Sequence, residues 1–289
     1  MGLRIKDKNA TAALFHKEGG IIPTGTIKLS QNGTYDVTNY AFAEIETGGE
    51  DLLDARIAGT LSGTYSNSTL SIIRKYRAFN GLNIQSIYLP QCKTIGSSAF
   101  AYCSSLTSID LPNCTYIENS AFYYCSSLTS INLPLCSSIE NYAFYSCSLL
   151  TSINLPLCSY IGSYAFQYCS SLTSIDLPNC SRIEGYAFRY CSSLTSINLQ
   201  NCSYIGLNAF YNCRSLTSIN LPNCSYIGSS AFAYCSSLTT LYLTSTSLVS
   251  LASTNAFAYT PLSTSTYTGT FGSIYVPSSL LASYKTRIN

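Results

Sequence analysis

The feature that most restricts what this 289-residue chain can become is an internal repeat of constant length. Aligned on its first apolar residue, the pattern LxxIxLPxCxxIxxxAFxxCxx begins at Ile84 and returns at Leu106, Leu128, Leu150, Leu172, Leu194 and Leu216, always 22 residues on. Leu238 opens a further, degenerate copy. A fixed period of this length is the mark of a solenoid, whose units cannot bury their apolar faces alone. The large apolar side chains of one copy (Leu150, Ile153, Leu155, Ile161 and Phe166 in the fourth) are too few to offset the entropy of ordering the whole unit, so the copies must stack.

Within a copy the periodicity changes. Ile131 and Leu133 alternate with Ser130 and Asn132, as in a half-buried strand, and proline ends that strand in every copy except the one with Gln200. Ala143, Phe144 and Cys147 then fall at i, i+1 and i+4, a spacing that predicts a short helix. The expected fold is an α/β solenoid of seven strand-turn-short helix repeats, with a parallel sheet on one wall and copies about 4.8 Å apart.

The flanks define the expected domain organisation. Residues 1–20 read as an N-terminal leader, and 21–49 as a small β module, with a hairpin over Gly25 to Val37 turning at Asn32-Gly33 and a third strand in YAFAEIET. Residues 50–83 read as an N-terminal cap: a helix in EDLLDARIA, then an imperfect repeat with Ala78 and Phe79 one residue out of phase. The seven repeats occupy 84–237, and 238–289 hold the degenerate repeat and a C-terminal cap. There Ala256 and Phe257 arrive three residues late, Thr260 stands in the cysteine position, and GSIYVPSSLLASYKTRIN supplies a last strand and a tail helix.

Charge and residue inventory exclude several functions. Lys and Arg total 15 against 13 Asp and Glu, so there is no basic field to attract nucleic acid or anionic lipid. No stretch approaches the roughly 18 consecutive apolar residues of a membrane span, so no membrane insertion is expected. The single histidine, His16, supplies neither a histidine-based triad nor a multi-histidine metal site; no enzyme activity and no cofactor are expected. The 14 cysteines recur every 11 residues from Cys92 to Cys235 in two columns, without the close pairs that zinc requires. Stacked, parallel side chains hold their Cβ atoms too far apart for disulfides, so these cysteines read as buried, reduced packing residues.

The strand pattern LxxIxLxxC, joined to IxxxAFxxCxxL, resembles the BspA-like, Treponema-type leucine-rich repeat of bacterial and protist surface proteins, over about residues 84–260. That resemblance implies an extracellular, non-catalytic binding or adhesion role. The segment from Gly25 resembles N-terminal modules of tail-associated phage and prophage proteins of gut bacteria, which implies a cell-surface or virion location. The first twenty residues hold no apolar run of signal-peptide length, so the sequence leaves the cytoplasm open as well.

Columns that never vary report packing, and columns that vary are free to carry specificity. The outward strand positions are Ser in every copy and Asn or Asp in most, which reads as a ladder of mutual hydrogen bonds, with a periodic polysaccharide as the alternative occupant. The phases flanking Ala-Phe do vary. Tyr142, Tyr164 and Tyr186 precede it, and Tyr123, Tyr145, Gln167, Arg189 and Tyr211 follow it, with small residues such as Ser98, Ser120, Ala101 and Ala233 toward the ends. Tyrosine offers broad amphipathic contact at low entropic cost, so these eight residues are the candidate contacts for a protein or glycan ligand. The competing reading is that they only cover the repeats, and the chain is then a spacer without a ligand of its own. The next phase (Tyr102, Tyr124, Tyr168, Tyr190, Tyr234) is more uniform and reads as structural. Asn113, Asn179, Asn201 and Asn223 begin N-x-Ser/Thr triplets that recur because the repeat does. Oligomeric state is not legible.

Overall fold

The computed structural model describes residues 83–263 and 269–288, with short stretches at 35–36, 62–66, 72–73, 79 and 81. Each coil contributes two strands. A front strand such as Ser152–Asn154 exposes its first and third residues and buries the middle one, as the alternation requires. A rear strand such as Tyr160–Ile161 follows the proline corner, and its Ile is the core residue of the IxxxAF segment. Both strands pair in parallel with their equivalents, Ile153 opposite Ile131 and Ile161 opposite Ile183.

The rear ladder is continuous over nine strands, from Ile72–Ile73 to Ser250–Leu251. The front ladder is interrupted once, between Ser196–Asn198 and Ser218–Asn220. That interruption falls at the coil in which Gln200 replaces proline, and the Gln200 N–H, which proline lacks, donates to Asn198 Oδ1 at 3.2 Å.

On the third side of each coil the chain forms turns where the local spacing predicts a short helix. The amides of this segment alternate in their partners. Ala165, Gln167 and Cys169 donate to Gly162, Tyr164 and Phe166 within the coil at 3.1–3.3 Å, whereas Tyr164, Phe166 and Tyr168 donate to Gly185, Ala187 and Arg189 of the next coil at 2.7–3.1 Å. The device behind this alternation is a left-handed residue every fourth position, Tyr164 at φ 61° and Tyr168 at φ 64°. A helix closes its hydrogen bonds on itself and would leave the neighbouring coil's carbonyls unpaired, whereas the alternating turn satisfies both coils.

One continuous apolar core fills the coils. Its centre is a column of phenylalanines from Phe79 to Phe257, each ring stacked on the next at 4.7–5.4 Å. All 14 cysteines are buried, and none forms a disulfide. In one column the thiols donate across coils, as Cys169 Sγ does to Phe144 O at 3.1 Å, and in the other they donate to the rear strand, as Cys158 Sγ does to Tyr160 O at 3.2 Å. The ends are closed by altered versions of the same parts. On one side Phe79 joins the ring column, stacked on Phe100 at 4.7 Å, and on the other Ser273–Tyr275 extends the front ladder beside Thr240–Tyr242. Thr260, in the cysteine position, donates its hydroxyl to Phe257 O at 2.6 Å. In the tail helix Leu281–Ile288, Tyr284 is buried, and its hydroxyl accepts the Val249 N–H at 3.0 Å. The expected hairpin at Gly25–Val37, the strand in YAFAEIET and the helix in EDLLDARIA lie outside the described residues, except for Tyr35–Asp36, which pair in parallel with Tyr65–Ser66.

Candidate ligand-binding surface

The turn wall carries the tyrosines. In each repeat the residue before Ala-Phe and the residue two after Phe hold φ between 52° and 64°, a region that suits glycine and asparagine and costs other residues free energy. Some copies place Ser or Asn there, including Ser98, Ser146, Asn208 and Asn212, but most place Tyr. Their rings align along the solenoid. Tyr142, Tyr164 and Tyr186 stack at 4.7 and 4.6 Å with planes within 2°, and Tyr168 stacks on Tyr190 at 5.0 Å. Tyr123 and Tyr145, stacked at 4.9 Å, touch both tyrosine columns, through Tyr142 on one side and Tyr124 and Tyr168 on the other. Ring contacts continue from Tyr102 through Tyr124, Tyr145, Tyr168, Tyr190, Tyr211 and Tyr234 to Tyr259, so the aromatic surface runs the length of the repeats, about 34 Å at one strand spacing per coil. Partial burial pushes the Tyr145 phenol up to about 12 and raises Tyr123 and Tyr164 for the same reason, which keeps these hydroxyls protonated as donors.

The eight residues singled out from the sequence share this wall, but two behave unlike the rest. Gln167 is only 3% exposed, so it is not the surface residue its polarity suggests. Arg189, one coil on, has its guanidinium carbon 4.7 Å from the Tyr190 ring centre, 5.1 Å from Tyr211 and 5.7 Å from Tyr186, and Nη2 donates to the Tyr190 hydroxyl at 3.5 Å. Gln167 Oε1 and Arg189 Nε are the two buried side-chain polar atoms without a hydrogen-bond partner among the described residues.

The front sheet carries an open groove of about 480 Å³ over the strands at 108–110, 130–132, 152–154 and 174–176. Its polar floor is partly self-satisfied, as the ladder reading expects: Asn154 Nδ2 donates to Asn132 Oδ1 at 3.2 Å, and Asn198 Nδ2 to Asp176 Oδ1 at 2.8 Å. Beside this groove the structure exposes Leu135, Leu149 and Leu157, which the sequence reading did not single out. The signal was there. Asn113, Asn179, Asn201 and Asn223 occupy the column of Leu135 and Leu157, and each donates Nδ2 to a carbonyl of the preceding coil at 2.7–2.8 Å. Leucine at two adjacent coils gives up that bond and presents an apolar side chain instead. Among the described residues no cluster of His, Cys, Asp and Glu could hold a metal ion, and no helix is long and apolar enough to cross a membrane.

Comparison with known proteins places the repeats. The family profile described as the BspA type leucine rich repeat region (6 copies) matches residues 71–179 and 159–278. No curated protein sequence matches the chain. Similar solved structures include a leucine-rich repeat protein of T. pallidum, 26% identical, with a TM-score of 0.49 over 54% of this chain and 84% of that one. A leucine-rich repeat protein of Bacteroides ovatus is 20% identical, with a TM-score of 0.36 over 64% and 79% of the two chains. A leucine rich cell surface protein of Faecalibacterium prausnitzii is 18% identical, with a TM-score of 0.26 over 76% and 86%.

Proposed function

Because the chain belongs to the BspA-type leucine-rich-repeat family, we propose that it is a non-enzymatic binding or adhesion protein, which recognises a protein or glycan at a bacterial or phage surface through its tyrosine wall. The observation that carries this reading is the placement of large aromatics on left-handed backbone. Tyr142, Tyr164 and Tyr186 hold φ of 59°, 61° and 64°, where Ser98, Ser120, Asn208 and Ser230 serve the same turn in other coils. The left-handed turn is the same in every coil and accepts Ser or Asn, so the tyrosine rings are not needed for the turn itself. Tyrosine and arginine are also the residue types that concentrate binding energy.

A second reading, a spacer that sets length and stiffness, draws on the coil-on-coil stacking of the same rings at 4.6–4.7 Å. One variant separates the two. With Tyr142, Tyr164 and Tyr186 all changed to Ser, the binding reading expects loss of capture on an array of glycans and host-surface proteins while the melting temperature stays close to the parent's. Unchanged capture by a folded triple variant sinks the binding reading. A marked fall in melting temperature, with sensitivity to deletion of whole repeats, favours the spacer.

A further inference from the structure

The column of Tyr123, Tyr145, Gln167, Arg189 and Tyr211 is aromatic except at two adjacent coils. Those two exceptions hold the buried unpaired polar atoms, Gln167 Oε1 and Arg189 Nε. Burying an amide oxygen and a guanidinium nitrogen without partners is unfavourable, and tyrosine already fills the same position in the coils on either side. At two adjacent coils of its aromatic wall the chain thus leaves an unused acceptor and an unused donor.

We propose that Gln167 and Arg189 form a subsite for a carboxylated sugar residue within an acidic glycan. This inference rests on the tyrosine wall being the recognition surface and names the ligand class for its centre. The guanidinium is a planar fork that matches a carboxylate, and among the described residues no carboxylate pairs with Arg189, whereas Arg182 has Glu184. The Gln167 carbonyl needs a donor, which a sugar hydroxyl next to the carboxylate supplies. Tyr164 is stacked on both faces, by Tyr142 and Tyr186, so the tyrosines around the subsite meet a sugar through their hydroxyls, which both donate and accept, rather than through open ring faces. Arg189 is partly exposed and Gln167 is not, so a ligand meets Arg189 first. Gln167 is covered, so its engagement displaces a neighbouring ring and changes tyrosine fluorescence, which is readable because the chain has no tryptophan.

The test is titration calorimetry of the full chain with hexagalacturonate, against neutral maltohexaose and against hexaglutamate, at low and at high salt. Expected is binding of the acidic sugar about tenfold or more tighter than the neutral one, weakened by salt. Gln167→Tyr and Arg189→Tyr, which restore the residue of neighbouring coils, should each lose about tenfold in that affinity with a melting temperature no lower than the parent's. Equal affinity for acidic and neutral sugars, no binding of hexagalacturonate, or variants that bind it as the parent does would each overturn the subsite. Arg189-dependent binding of hexaglutamate alone would overturn the sugar and leave an acidic peptide in its place. The parent reading fails separately. If the triple serine variant loses array capture while Arg189→Tyr keeps it, the tyrosine wall stands and the subsite falls; the converse pattern keeps the subsite and removes the wall.

Discussion

Replacing Phe166 with alanine is the most direct test of how this solenoid is held together. The ring is fully buried and lies 5.2 Å from Phe144 on one side and 5.2 Å from Phe188 on the other, within 5° and 4° of parallel. Truncation of a buried Phe costs about 3–5 kcal/mol. Each stacked neighbour adds about 0.5–1.5 kcal/mol beyond the buried area, so loss of two stacks puts the expectation at the top of that range, about 5 kcal/mol. The cavity cannot close easily, because the backbone around it is pinned: the Phe166 N–H donates to Ala187 O at 2.7 Å, and Phe166 O accepts the Cys191 thiol at 3.1 Å. Phe257, at the end of the column with one ring neighbour at 5.4 Å, is the internal control, and Phe257→Ala should cost about 1 kcal/mol less. Urea denaturation measures both, and amide hydrogen exchange should place the weakening in the coils next to the substitution. A loss below about 1 kcal/mol at Phe166, or a larger loss at Phe257, would refute the idea that the ring column is the main fastening between coils.

Three other expectations follow from the packing. Burial pushes the thiols of Cys92 and Cys158 up to about 11 and those of Cys114 and Cys202 up to about 12, from an ordinary value of 9.0. Unfolded chains therefore release these protons first, so stability is flat below about pH 8.5 and falls as pH rises toward the folded values; a denaturation midpoint unchanged between neutral pH and about pH 10.5 would contradict the buried ladder. The same thiols should resist alkylation in the native protein, and all 14 should label once it is denatured without reductant. Gly206→Ala would set a Cβ 2.5 Å from Gly185 N and 2.6 Å from the Glu184 carbonyl carbon, backbone atoms that cannot swing aside, and should cost about 1–3 kcal/mol. An unchanged melting temperature for that variant would mean that adjacent coils slide apart more freely than this spacing suggests.

Much of the candidate surface is legible before any coordinates exist, since Tyr142, Tyr164, Tyr186 and their neighbours stand out as variable positions inside an otherwise constant repeat. Its character is not. Gln167 reads as a surface residue and is buried, because what covers it belongs to a crowded aromatic wall assembled from separate coils. Leu135 and Leu157 are visible as departures from an asparagine column, yet their meaning depends on the inter-coil bond that Asn113 and Asn179 make and they do not.

Identical apolar positions every 22 residues have one way to be buried together, stacked in phase, so the period, the parallel register, the apolar columns and the buried cysteines are all written in the chain. The shape of the segment around Ala-Phe, by contrast, is settled by contacts between coils. Its i, i+1, i+4 spacing suits a helix, but half of its amides find their partners in the next coil, as Phe166 N–H does in Ala187 O, 21 residues along the chain. A local pattern carries no record of that partner. The left-handed tyrosines, the turn wall and the site built on it follow from hydrogen bonds between coils, which exist only once the coils are stacked.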